Sequence, residues 1–131
     1  MDRASAQGWL DRYVQAWLSY DPVAVADLFS VGVTYRYHPY DEPLVGQAAV
    51  VASWLGESAD GRASTRDAPG TYEAAYTSVA VDADTVVATG LTQYRDEPGG
   101  PVVQTFHNCF VMRFDADGRC RDFTEFFVRR P

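Results

Sequence analysis

From Tyr72 onward the chain is a succession of alternating apolar and polar segments cut by turn residues, and this pattern restricts the fold more than any other feature. Tyr72 to Val81 and Thr85 to Arg95 flank a tight turn at Asp82, Ala83 and Asp84; EPGGP leads into Val102 to Phe114, and DADG, Asp115 to Gly118, turns that segment into Arg119 to Arg129. Four strands in succession predict an antiparallel meander. The chain before Tyr72 is mostly helical. Trp9, Leu10, Tyr13, Val14, Trp17 and Leu18 have the i, i+3, i+4, i+7 spacing of an amphipathic helix over Ser5 to Tyr20. Asp21 as N-cap and Pro22 in the first turn predict a second helix to about Phe29, burying Val25, Leu28 and Phe29. A third is expected from Gln47 to Leu55, with Val50, Val51, Trp54 and Leu55 inward and Gly56 ending it. There is no βαβ alternation and no internal repeat. The expected fold is α+β: three N-terminal helices packed on a curved, mainly antiparallel sheet, a cone with an internal pocket. At 131 residues the expectation is one domain over the whole chain.

The stretch VTYRYHPYDEPLVG, Val33 to Gly46, separates the second helix from the third. It starts as a strand with Val33, Tyr35 and Tyr37 on one face, until Pro39 forbids regular continuation and leaves His38 at the strand's mouth. The acidic PYDEP loop follows, and Gly46 allows the turn into the third helix. Further on, Gly56 to Gly70 is small, polar and aperiodic, so an exposed loop with the character of a flap is expected there.

Composition narrows the partners. All 11 basic residues are arginine and the net charge is −7, which repels phosphate backbones and argues against nucleic acid and anionic membranes. No apolar run approaches the about 20 residues that span a bilayer, and MDRASAQGW lacks the basic-then-apolar order of a signal peptide, so a cytoplasmic location is expected. With 8 Tyr, 7 Phe and 3 Trp, rings are plentiful enough to line a pocket for a small apolar molecule. Cys109 and Cys120 fall out of register in the last hairpin and are expected as packing thiols. A phosphate-binding glycine loop, a G-x-S-x-G elbow and metal-ligand spacing are all missing, which leaves proton transfer without a cofactor or metal.

If DADG is a four-residue loop, Phe114 opposes Arg119 and the cross-strand pairs follow. One face then pairs Phe110 with Phe123 and Phe106 with Phe127, and between them Asn108 with Glu125. The other face pairs Val111 with Asp122, Cys109 with Thr124 and His107 with Phe126, a mixture suited to a partly exposed or dimer-forming surface. A carboxylate among rings has its pKa raised by desolvation, and an amide neighbour hydrogen-bonds it in either protonation state, the setting of a general acid or base. His38 is the second candidate: an imidazole's ordinary pKa of about 6.5 suits proton transfer, and Asp41 stands three residues on to orient the ring. Tyr13, Tyr35 and Tyr37 are candidate donors to an oxyanion or a ligand carbonyl. The structural alternatives are a solvated or arginine-paired Glu125, a surface-loop His38 and tyrosines that only pack.

The order of elements, the run RYVQAWLSYDPVAVADLFSVGVTYRYHPYDEPLVGQAAV from Arg12 to Val50 and the closing FVMRFDADGR resemble the nuclear transport factor 2-like superfamily, which includes ketosteroid isomerases and SnoaL-like polyketide cyclases. Arg12-Tyr13 is similar to the Arg-Tyr pair of those isomerases, which implies an oxyanion-stabilising role for Tyr13. Their general-base aspartate precedes a proline at the end of the first strand, where this chain has His38 before Pro39. Their second oxyanion donor falls on Phe110 here, which speaks against steroid isomerase activity itself. Glu125 falls where they keep an apolar pocket residue.

These readings converge on a cofactor-free acid-base enzyme of isomerase, lyase, cyclase or epoxide hydrolase type acting on a small apolar carbonyl or hydroxyl compound. His38 and Glu125 are its expected acid-base groups, with Tyr13 or Asn108 steadying negative charge. Trp17, Tyr35, Tyr37, Asp41, Trp54, Phe106, Phe110, Phe123 and Phe127 are the expected substrate contacts. A homodimer through the outer sheet face is expected. The alternatives are a non-catalytic ligand-binding or dimerisation module of the same fold, and an outer face that binds a different protein.

Overall fold

The structure is a computed structural model that describes residues 1–56 and 66–131. The predicted loop from Gly56 to Gly70 lies for the most part outside the described residues. Three helices, α1 (Arg3–Ser19), α2 (Pro22–Asp27) and α3 (Gln47–Trp54), pack against a six-stranded sheet in the order β2-β1-β6-β5-β4-β3. The strands are β1 (Phe29–Arg36), β2 (Leu44–Val45), β3 (Tyr72–Asp82), β4 (Thr85–Arg95), β5 (Val102–Phe114) and β6 (Cys120–Arg129). All pairings are antiparallel except that of β1 with β6.

Asp2 caps α1 by accepting from the Ser5 amide at 2.7 Å, and Asp21 caps α2 through the Val23 amide at 3.0 Å. The second helix stops at Asp27, earlier than its apolar spacing suggests, because Phe29 already pairs with Cys120 in the sheet. The Trp9 indole N–H donates to the Leu28 carbonyl at 2.9 Å, fixing the end of α2 against α1. Gly46 stands at φ 98° before α3, a conformation open to glycine but strained for other residues. Leu44–Val45, expected as loop, forms a two-residue edge strand on β1.

At the opposite edge, β3 is irregular between Ser78 and Ala80, and α1 takes up the backbone groups left open there. Gln7 Nε2 donates to the Tyr76 carbonyl at 2.9 Å, the Ser78 amide donates to Gln7 Oε1 at 3.0 Å, and Arg3 Nη2 donates to the Ser78 carbonyl at 2.9 Å. Helix side chains thereby satisfy an edge that would otherwise recruit another strand. The core between helices and sheet is aromatic: Trp9, Phe29, Tyr35, Phe110 and Phe123 are each at most 1% exposed.

The last hairpin differs from the register read off the sequence. Asp115 donates its amide to the Arg119 carbonyl at 2.8 Å, so the loop has three residues, with Gly118 at φ 84°. A second irregularity follows between Arg113 and Phe114. Phe114 therefore pairs with Cys120 rather than Arg119, and beyond the irregularity the partners move by two: Phe110 pairs with Glu125, Asn108 with Phe127 and Phe106 with Arg129. On the other face Val111 pairs with Thr124, Cys109 with Phe126 and His107 with Val128. A slip of two leaves every side chain on its expected face. The expected contacts survive as diagonals, with ring centroids 4.9 Å apart for Phe110 and Phe123 and 5.5 Å for Phe106 and Phe127. Both cysteines are free thiols; Cys120 is buried, and burial pushes its pKa up.

Candidate active site

The helices do not fill the concave side of the sheet. A cavity of about 460 Å³ remains, walled by Tyr13, Trp17 and Tyr20 of the first helix and its cap, by Tyr35 and Tyr37 of the β1 end, and by Ser53 and Trp54 of α3. The sheet side supplies Tyr76, Thr92 and Tyr94, then Phe106, Asn108, Glu125 and Phe127, and Asp67 completes the lining. Of the residues expected at a site, Glu125, Tyr13, Asn108, Trp17, Tyr35, Tyr37, Trp54, Phe106 and Phe127 are thus brought together. Phe110 and Phe123 lie beneath the cavity in the sealed core, 1% and 0% exposed, where they pack on Tyr13.

Glu125 ends a directional chain of hydrogen bonds. Thr92 Oγ1 donates to Asn108 Oδ1 at 2.9 Å, so the Tyr76 hydroxyl, 2.6 Å from Thr92, is the donor in that pair. Asn108 Oδ1 being occupied as acceptor, its amide group faces the other way and donates to Glu125 Oε1 at 2.8 Å. The other carboxylate oxygen, Oε2, takes no part in this chain. Desolvation raises the Glu125 pKa from the ordinary 4.5 to about 7, with the Asn108 hydrogen bond and the His38 imidazole pulling weakly the other way. A carboxyl group with that pKa exchanges protons readily near neutrality.

A second polar group lies across the cavity. Trp54 Nε1 donates to the Tyr35 hydroxyl at 3.3 Å, and Tyr13 lies beside it in the same wall. With its oxygen accepting from Trp54, Tyr35 keeps its own proton to donate. Burial, foremost among the causes, raises the pKa of both tyrosines well above the usual value, so both stay protonated. The Tyr37 hydroxyl, 2.8 Å from Ser53 Oγ, sits beside them.

His38 lies outside this cavity, contrary to the expectation that it faces the substrate space. Pro39 bends the chain away from β6 just after the Arg36–Thr124 pair, and the imidazole ends in a second, more open hollow of about 560 Å³. There its Nδ1 is 2.8 Å from Asp41 Oδ2, and its ring lies 5.2 Å from those of Tyr40 and Phe127. Asp41 shares that outer position and does not line the main cavity. Glu125, Asn108 and Phe127 border both hollows. Glu125 therefore stands in the partition, with His38 behind it.

Tyr20, Ser53, Asp67, Tyr76, Thr92 and Tyr94 escaped the sequence reading. Tyr76, Thr92 and Tyr94 were legible in principle, since strand alternation puts them on the face of Asn108. Asp67 stands in an aperiodic loop and carried no signal. Among the described residues no group of three or more His, Cys, Asp or Glu is placed to hold a metal ion, and no helix is long and apolar enough to cross a membrane.

The family described as SnoaL-like domain matches residues 10–123, most of the chain. The chain belongs to the SnoaL-like domain family. None of the curated proteins compared with it matches. Among solved structures, this SnoaL-like domain is similar to a candidate ketosteroid isomerase from Kribbella flavida DSM 17836, with a TM-score of 0.68 and 14% identity over 99% of this chain and 82% of that one. It is also similar to an NTF-2 like protein of unknown function from Burkholderia xenovorans LB400, with a TM-score of 0.65 and 15% identity over 95% of this chain and 84% of that one. At such identities the likeness establishes the fold alone. Glu125 and Phe127 of this SnoaL-like domain lie just beyond the matched span.

Proposed function

We propose that this SnoaL-like domain is a cofactor-free acid-base enzyme that moves a proton next to the carbonyl of a small, mainly apolar compound, an isomerase or lyase type of reaction. The observation that carries this reading is a carboxyl group held by Asn108 at 2.8 Å in a ring-walled cavity, where desolvation raises its pKa to about 7. Ionised Glu125 takes a proton from the carbon beside the carbonyl. The electron pair of that C–H bond moves onto the carbonyl oxygen, and the Tyr35 hydroxyl, backed by Tyr13 and Trp54, donates a hydrogen bond to the resulting enolate. Returned to a different carbon, the same proton completes an isomerisation. Behind the partition, His38, oriented by Asp41 at 2.8 Å, favours the ionised form of Glu125. On the same reading the domain works as a homodimer through the outer face of the sheet, where Leu91, Val111, Phe126 and Val128 are at least 36% exposed.

Deuterium uptake from D2O at the carbon beside the carbonyl of 2-tetralone, followed by NMR, tests the chemistry without knowledge of the natural substrate. The parent chain is expected to accelerate uptake over buffer, Glu125→Gln to lose about 10²- to 10⁴-fold, and His38→Ala to lose less. Parent-like exchange by Glu125→Gln would remove Glu125 as the base, and uptake no faster than buffer with the parent would return the domain to the non-catalytic ligand-binding reading.

A further inference from the structure

The cavity has a second carboxylate, at the end remote from Glu125. Asp67 Oδ2 accepts from Trp17 Nε1 at 3.2 Å and from the Tyr20 hydroxyl at 3.4 Å, while the Tyr20 oxygen itself accepts from the Asp67 amide at 2.9 Å. Three residues thus close a ring of hydrogen bonds that fixes the carboxylate against the wall. The other oxygen, Oδ1, takes part in none of these bonds. No buried side-chain N or O atom among the described residues lacks a hydrogen-bond partner, so Oδ1 is not sealed in the wall of the cavity that Asp67 lines. The charged group facing this cluster is Arg66, whose guanidinium lies 5.4 Å above the Tyr20 ring and whose Nε donates to the Leu55 carbonyl at 2.9 Å. Burial raises the Asp67 pKa, against the pull of the Trp17 and Tyr20 hydrogen bonds.

The backbone at Tyr20 points the same way. This residue caps α1 in the left-handed region at φ 49°, where glycine is the usual occupant and a side chain costs about 1 kcal/mol. The tyrosine is held there by the contacts of its hydroxyl at the cavity wall. Both carboxylates line the one cavity, Asp67 bound to Trp17 and Tyr20 and Glu125 bound to Asn108. Rings join the two ends along the sheet side: Trp17 to Tyr94 at 6.4 Å, Tyr94 to Phe106 at 5.8 Å and Phe106 to Phe127 at 5.5 Å.

We propose that Asp67, oriented by Trp17 and Tyr20, is a second recognition pole, and that the cavity takes a two-ring-sized apolar carbonyl compound that carries a hydroxyl group at the opposite end, the carbonyl or enol oxygen at Tyr35 beside Glu125 and the hydroxyl at Asp67. The proposal rests on the reading of this cavity as the ligand site and adds to it the substrate class. The rings accept the apolar body, Asp67 accepts the hydroxyl proton on Oδ1, and a naphthol hydroxyl stands in for the enol oxygen at Tyr35.

Calorimetric titration of the full chain with 2,6-dihydroxynaphthalene and with 2-naphthol tests it. The diol is expected to bind about tenfold more tightly, the scale of one hydrogen bond to a charged group in a partly desolvated site. In Asp67→Ala that preference is expected to fall within about twofold. If the alanine variant does not fold, Asp67→Asn, a weaker acceptor of the same shape, is expected to lose about threefold of the preference. Equal affinity of the two compounds for the parent, or a preference that survives at residue 67, overturns the second pole and leaves the Glu125 chemistry standing. Failure of both compounds to bind the parent at millimolar concentration overturns the ligand-site reading as well.

Discussion

Glu125 is the residue whose energetics bear most directly on the chemistry, and its cost is measurable without a substrate. Its folded-state pKa, about 7, lies above the ordinary 4.5, so between these values the folded chain binds more protons than the unfolded one. Stability is then fully present below about pH 4.5 and falls as pH rises toward 7, by on the order of 2 to 3 kcal/mol once solvent screening is allowed for. Glu125→Gln keeps the acceptor for Asn108 and removes the charge. Urea unfolding at about pH 5 and about pH 8 should show the parent losing stability relative to the variant; parallel behaviour at the two pH values would sink the idea of a desolvated carboxylate. Glu125 and Asn108 were legible in the sequence because strand alternation assigns a face even when the partner is misread. Asp67 was not, since only its tertiary neighbours Trp17 and Tyr20 distinguish it from any other loop aspartate. His38, expected to face the substrate space, lies in the outer hollow, because a proline says that a strand ends and not which way the chain leaves.

At the scale of elements, the site depends on how closely β3, β4 and β5 approach on their inner face. Gly90 of β4 pairs with Tyr76 on one side and Asn108 on the other. A Cβ at Gly90 would stand 2.0 Å from the Ala75 carbonyl oxygen and 2.6 Å from Tyr76 Cδ1. The missing side chain lets the Tyr76 ring lie over the strand and reach Thr92. Gly90→Ala is expected to destabilise the chain by roughly 3 kcal/mol or more, because backbone and not a flexible side-chain end must move. Thermal unfolding of the variant checks this; a melting temperature within a degree or two of the parent would show that the strands yield freely. The helices and the meander were readable from period and caps, which are local. The three-residue turn at Ala116 to Gly118, the irregularity beside Arg113 and the parallel junction of β1 with β6 were not, since pairing in a sheet is decided by twist and by partners far along the chain.

For the whole molecule, the proposed pairing of sheet faces makes a distinct prediction. Phe126 is 42% exposed and pairs with Cys109 in the middle of the outer face. Phe126→Glu is expected to convert a dimer into a monomer in sedimentation equilibrium while the tertiary fold is kept, since desolvating an unpaired carboxylate in an apolar interface costs several kcal/mol. A parent chain that sediments as a monomer refutes the pairing. The amino-acid sequence by itself determined the class of fold, the inner face of each strand, the aromatic character of the hollow and the carboxyl and amide on its wall, because alternation, helical period and capping act over a few residues. Only the tertiary structure decided which side of the wall His38 occupies, that Asp67 returns to close the far end, and that Tyr76 and Thr92 orient Asn108. Those depend on where the chain crosses itself, and crossing points are set by the packing of all the rings at once.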